Sequence, residues 1–135
     1  MMETLHLAAA SEDGRRESLV LEVDDSGEPS IRLVRANRVA SFHAGSDLFE
    51  CLKDVRRVLE EEDLLVCCQG SRPTVFPSGM GRQMSNGRLA YPLRRKPPLT
   101  DADLVDIFAP AQLAEVGTVE SQRQAVLDFF RSPKE

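Results

Sequence analysis

The sequence predicts an α+β fold, in which a mainly antiparallel or mixed sheet is covered by two helices. Short aliphatic and β-branched runs, separated by turn-forming residues, recur in both halves of the chain. Two longer segments instead repeat apolar residues at helical spacing. The order is strands, helix, strand, irregular loop, strands, helix, and the length suits one domain over 1–135.

The first predicted unit is a β-hairpin over about residues 17–36. Leu19–Val23 and Ile31–Val34 are strand-like, and the segment between them is dense in turn formers. Leu5–Ala10 is expected to add an earlier strand, whereas Val39–Phe42 is too short to assign. The N-terminal third is therefore predicted to be mainly sheet.

The clearest helix is predicted over about residues 46–62. Ser46 is expected to cap its first turn. An acidic run then opposes the helix dipole at the C-terminal end. The run is interpreted either as a solvated turn or as an acidic patch for a basic partner. The apolar stripe comprises Leu48, Leu52, Val55 and Leu59. The acidic run comprises Glu60, Glu61, Glu62 and Asp63.

The second half begins with a continuous apolar run at 64–68, which predicts a central strand buried on both faces. An irregular loop over 70–87 follows, with a short helix expected near Met80–Met84. Further strands are predicted at Arg88–Leu93 and Leu104–Phe108, although Thr100 can instead cap a short helix. The last helix is predicted over about 118–131. It begins at Thr118 and is ended by Pro133.

Composition excludes several classes of protein. The net charge of −5 and the pI near 5.1 disfavour a general nucleic-acid binder. No apolar run approaches the ~20 residues of a membrane span, and the N-terminus lacks a secretory signal, so a cytoplasmic protein is expected. The three cysteines are an odd number in a chain without an export signal and are expected to stay reduced, so we expect no disulfide framework. Neither the cysteines nor the histidines have metal-ligand spacing, so we expect no metal, and we expect no cofactor. These residues are Cys51, Cys67, Cys68, His6 and His43.

No catalytic motif is complete. A Cys-dependent phosphatase loop needs five residues between cysteine and arginine, but Cys67 and Cys68 lie too close to Arg72. Both cysteines are therefore interpreted as small buried apolar residues. Gly79-Met80-Gly81 lacks the third glycine of a dinucleotide fingerprint. A serine triad built on the loop serines would need a distant histidine, and turn or cap roles are favoured for them. These serines are Ser71, Ser78 and Ser85.

The segment Leu64–Thr100 contains six basic residues and no acid. It can meet phosphate, a nucleotide or a carboxylate-rich surface. The alternative is that its arginines pair with acids elsewhere in the same fold. The six are Arg72, Arg82, Arg88, Arg94, Arg95 and Lys96.

The same region also resembles a known group of proteins. The pattern runs Gly70-x-Arg72-x-x-Val75-x-Pro77-Ser78-Gly79-Met80-x-Arg82-x-Met84, then Gly87-x-x-Ala90-Tyr91, Leu104-Val105-Asp106-Ile107-Phe108 and Gly117-Thr118-Val119-Glu120-x-Gln122. It resembles small bacterial proteins associated with Rhs-type polymorphic toxin loci. The resemblance covers roughly Leu64–Phe130. It implies an immunity protein of interbacterial competition, which occludes a cognate toxin domain, and it carries over no catalytic residue.

We therefore expect a non-enzymatic immunity-type protein whose partner is a cognate toxin domain. Met, Tyr and Arg side chains in a long loop are typical of interfaces, although the loop can also simply cover the core. The alternatives are a small phosphate- or nucleotide-handling enzyme using Arg72, Arg82 and Arg88, and a homo-oligomeric structural module. The predicted partner-binding residues are Arg72, Phe76, Met80, Arg82, Met84, Arg88 and Tyr91, with Glu60, Glu61, Glu62 and Asp63 as a second contact.

Overall fold

A computed structural model describes residues 2–132. Its larger sheet has five strands: β1 (Met2–Ala10), β2 (Arg16–Asp24), β3 (Ser30–Val34), β4 (Ser41–Ala44) and β5 (Leu65–Val66). The sheet is entirely antiparallel, with the strand order β4-β3-β2-β1-β5. The predicted hairpin and the predicted earlier strand both belong to this sheet, and the α+β fold class is confirmed.

Helix α1 (Leu48–Glu60) covers one face of this sheet. The residue that caps it is Asp47, which accepts a hydrogen bond from the Glu50 amide at 2.9 Å, and the prediction of Ser46 was wrong by one position. The predicted apolar stripe is fully buried against the sheet. Arg56, which helical spacing places off the stripe, is buried as well.

A second layer is built from the C-terminal half of the chain. Within residues 2–132 it consists of a small antiparallel sheet, two further helices and three short 3-10 turns. Pro133, the predicted end of the last helix, lies outside the described residues. The elements are β6 (Val75–Phe76), α2 (Gly79–Met84), β7 (Leu89–Pro92), β8 (Val105–Asp106) and α3 (Val119–Arg131), with turns at Gln69–Ser71, Asp101–Asp103 and Leu113–Glu115.

The strand predicted over 64–68 is shorter in the structure and lies at the edge of the large sheet rather than at its centre. Only Leu65–Val66 is strand, and it forms the edge of the large sheet beside β1. Beyond Val66 the backbone bonds to the segment before the last helix: Gln69 N–H donates to Ala109 O and Gly70 N–H to Ile107 O, each at 2.8 Å. Leu64, Val66 and Cys68 of the apolar run are buried in one cluster with Leu52 and Val55 of α1, although β5 is an edge strand.

The hydrophobic core lies between the large sheet, α1 and the small sheet. Leu21 and Leu33 are paired across β2 and β3 and face Leu52 and Val55 of α1 in one buried cluster. None of the helices within residues 2–132 combines the length and the apolar character that a bilayer crossing requires.

Candidate functional site

The segment over 70–87, predicted as an irregular loop, is contacted near its start by a buried side chain of α3. The amide nitrogen of Gln122 lies 2.9 Å from each of three carbonyl oxygens, those of Gly70, Arg72 and Val75. The nitrogen carries two hydrogens, so one of them is shared between two of the carbonyls. Gln122 is 2% exposed, so these contacts form away from water. These contacts attach the N-terminal end of the segment to α3.

Arg56 of α1 completes this buried cluster. Its guanidinium donates to Gln122 Oε1 at 2.6 Å, to Gly70 O at 3.1 Å and to Gly117 O at 3.2 Å. Burial lowers the pKa of Arg56, because desolvation disfavours its charged form. Carbonyl and amide oxygens therefore stabilise this buried cation. Through these hydrogen bonds Arg56 connects α1 to Gly70 and to α3.

An apolar groove lies between α2 and β7. Met80 and Met84 are four residues apart on one face of α2 and are 72% and 81% exposed. With Leu89, Tyr91 and Leu104 they line a cavity of about 360 Å³. We call this surface the α2–β7 groove. Three predicted contact residues, Met80, Met84 and Tyr91, are thus brought together.

Arg82 lies beside the groove but faces the protein. Its guanidinium donates to Asp47 at 2.6 Å and to Glu50 at 3.3 Å, and it stacks over the rings of Phe49 and Phe76. Phe76 in turn meets Phe49 edge-on, with ring centroids 5.4 Å apart. Arg82 and Phe76, both predicted as partner contacts, therefore anchor α2 to the start of α1.

Arg88 links the two sheets. It pairs with Glu3 at the start of β1 and with Asp106 of β8, and it lies over the ring of Phe108. The hydrogen bond from Arg88 lowers the pKa of Glu3, because it favours the carboxylate. Arg88, like Arg82, therefore pairs with acids of its own chain, which was the alternative prediction for the basic segment.

The other four cations of the basic segment are distributed differently. Arg72 donates to the Gln69 side chain at 2.9 Å, and Arg94 pairs with Asp103 at 3.0 Å. Arg95 donates to the Phe129 carbonyl and stacks on the ring of the same residue. Lys96 is exposed. The basic segment is thus largely engaged by its own fold, with little free positive charge at the groove.

The predicted acidic patch is also divided. Glu60 accepts a hydrogen bond from the Val119 amide at 2.9 Å, and burial raises the pKa of Glu60. Glu62 pairs with Arg35 and Arg38. Glu61 and Asp63 are exposed, so half of this predicted second contact remains open to a partner.

One side-chain cluster escaped the sequence analysis. Ser41 and His43 alternate along β4, and Asp54 follows on α1. Ser41 Oγ lies 2.7 Å from His43 Nε2, and His43 Nδ1 lies 2.7 Å from Asp54 Oδ2. The available signal was a serine and a histidine two residues apart, which share one face only if the segment is a strand.

The three cysteines are buried and unpaired. Burial raises the pKa of each thiol, in the case of Cys51 to about 11. Nowhere in residues 2–132 do three or more histidine, cysteine or acidic side chains gather in a group able to hold a metal ion.

Comparison with known proteins finds no match among protein-family models and no significant relative among curated proteins. The resemblance of Leu64–Phe130 to proteins of Rhs-type toxin loci therefore stays a prediction.

Proposed function

We propose that this protein is a cytoplasmic immunity-type binder that neutralises a cognate toxin domain by covering it, with the α2–β7 groove as its contact surface. The observation that carries this proposal is the pair Met80 and Met84, which α2 presents to solvent beside Leu89 and Tyr91. A small protein rarely leaves contiguous large apolar side chains exposed without a use. Methionine also adapts to a partner's shape and is favoured in interfaces.

The framework behind the groove supports the same function. Arg82 of α2 donates a hydrogen bond to Asp47, which caps α1. Gln122 donates to the backbone at Gly70, which precedes α2 in the chain. A surface that is ordered before binding loses less conformational entropy when the complex forms. Net charge −5, with the basic segment engaged internally, suits a cationic partner surface, because opposite charges speed encounter.

The two alternatives draw less support. A phosphate-handling site would need Arg72, Arg82 and Arg88 to converge, yet Arg82 and Arg88 already face carboxylates of their own chain. A homo-oligomer would use the same groove, and light scattering of the purified protein distinguishes it. Stabilisation by phosphate or nucleotides in a thermal-shift screen would favour the enzyme.

The test is co-expression with the product of a neighbouring toxin-like gene. We expect growth rescue and co-purification with the wild-type chain, and loss of both with Met80→Asp/Met84→Asp, since two carboxylates would be desolvated in the contact. Val39→Asp is the matched control, because Val39 is an apolar residue, 96% exposed, outside the groove. Rescue by the double variant as efficient as by the control would reject the groove as the contact. The absence of any toxic neighbour would reject the function.

A further inference from the structure

The cluster of Ser41, His43 and Asp54 has the connectivity of a serine nucleophile with its base and orienting acid. The serine oxygen meets one ring nitrogen of His43 and the carboxylate meets the other, both at 2.7 Å. In a general-base serine the histidine must contact both groups through different nitrogens. Two hydrogen bonds in that order distinguish this cluster from a simple histidine–carboxylate pair.

The three side chains differ in exposure, since the histidine is buried whereas the serine and the aspartate are partly exposed. The His43 side chain is 6% exposed, so its ring is held in place by β4 and α1. Ser41 is half-buried, and half of the Asp54 side chain is exposed. The base is therefore enclosed, while the serine residue beside it is partly exposed.

The hydrogen-bond directions follow from the groups themselves. A carboxylate only accepts, so His43 Nδ1 donates to Asp54. In the neutral ring Nε2 then accepts the hydroxyl proton of Ser41, which leaves the oxygen lone pairs free to attack. Asp54 acts through the histidine and is a positioning residue.

The surroundings of Ser41 offer what an acyl group would need. Within residues 2–132, β4 has β3 as its only strand neighbour, so alternate N–H groups along its outer edge are free to stabilise a developing oxyanion.

We propose that Ser41 is a nucleophile that reacts with activated carboxylic esters, with His43 as its base, at a site separate from the α2–β7 groove. Its oxygen forms a bond to the ester carbonyl carbon and the bond from that carbon to the leaving oxygen breaks. The serine proton passes through His43 Nε2 to the leaving alcohol. Water, activated by the same nitrogen, then releases the carboxylic acid and restores the serine.

The test treats the full chain with a fluorophosphonate probe, which forms an oxygen–phosphorus bond to an activated serine and releases fluoride. We expect one probe per chain, located at Ser41 by peptide mass spectrometry. Labelling should disappear in Ser41→Ala and stay unchanged in Ser18→Ala, an exposed serine on the outer face of the same sheet. Hydrolysis of p-nitrophenyl acetate should follow the same pattern.

Asp54→Asn separates a catalytic arrangement from a merely structural one. The amide can hold His43 in the wrong tautomer, so the labelling rate should fall at least about tenfold while the thermal unfolding midpoint of the variant is retained. Equal labelling rates in wild type and Asp54→Asn would overturn the proposal. So would an unlabelled Ser41 in the folded wild-type protein.

Discussion

The side-chain nitrogen of Gln122 lies 2.9 Å from the carbonyl oxygen of Gly70, although the two residues are 52 positions apart in the chain. The same nitrogen contacts the carbonyl oxygens of Arg72 and Val75. The side-chain oxygen of Gln122 accepts a hydrogen bond from Arg56. One amide group therefore contacts three backbone carbonyls at the base of the candidate site. Four predictions test how the fold is stabilised.

Gln122→Leu should destabilise the fold by about 2–4 kcal/mol, because it removes a donor from three backbone carbonyls and one acceptor from the Arg56 guanidinium. The free energy of unfolding is measured by urea denaturation. Gln124→Leu is the matched control on the same helix, because Gln124 is exposed. Similar losses in the two variants would show that the buried amide is dispensable.

Gly70→Ala should destabilise the protein by about 1–3 kcal/mol through overpacking. A methyl group there would lie 2.6 Å from Leu52 Cδ2 and 3.0 Å from Ile107 Cβ. Gly79→Ala, at a position with nothing within 4 Å, should instead be neutral or stabilising by up to about 1 kcal/mol. Thermal unfolding midpoints that fall equally in both variants would contradict the steric explanation.

Arg82→Glu should lower stability by roughly 1–3 kcal/mol, because it removes a charged hydrogen bond and adds a carboxylate beside Asp47 and Glu50. Lys96→Glu makes the same charge change on an exposed side chain and should alter stability little. Chemical denaturation compares the two. A fully stable Arg82→Glu protein would mean that the Arg82 ion pairs do not hold α2.

Acid sensitivity should depend on Glu17 and Glu62, whose carboxylates both bind Arg35. These hydrogen bonds hold the pKa of each carboxyl below its ordinary value of 4.5. A lowered folded-state pKa means that the unfolded chain binds more protons. The resulting stability is complete above pH 4.5 and is lost as the pH falls through the folded-state pKa.

Glu17→Gln should therefore reduce stability at pH 7 and flatten its decline between about pH 5 and pH 3. The raised pKa of Glu60 acts in the opposite direction, but it is present in both proteins and cancels in the comparison. Urea midpoints at several pH values give the slopes. Glu28→Gln, an exposed residue of the β2–β3 turn, is the control. Identical slopes for Glu17→Gln and wild type would reject the Arg35 contribution.

The elements most accurately predicted were those with local signals. The hairpin around β2 and β3, helix α1 and helix α3 follow from alternation, apolar periodicity and turn residues within a few positions of one another. The short helix expected near Met80–Met84 is α2. Strand β4 was missed because Ser41–Ala44 is short and acquires its pairing only from β3.

The candidate site was less predictable. The methionines and Tyr91 were identified from their residue types, but their assembly into one groove depends on β7 lying beside α2. Gln122 entered only as part of a resemblance pattern, and its role as a backbone donor has no local signature. Arg56 lies four residues after Leu52, at the border of the apolar stripe, but its charged side chain carries no local signal of burial.

The sequence by itself determined the local segments, the acidic balance and the burial of the cysteines. Only the tertiary structure decided which charges are free. Arg82 finds Asp47 35 positions away, and Arg88 finds Glu3 85 positions away. A charged side chain that is removed from water must be paired, and its partner is whichever opposite charge the fold places beside it. A count of charges along the chain therefore cannot show which of them are paired.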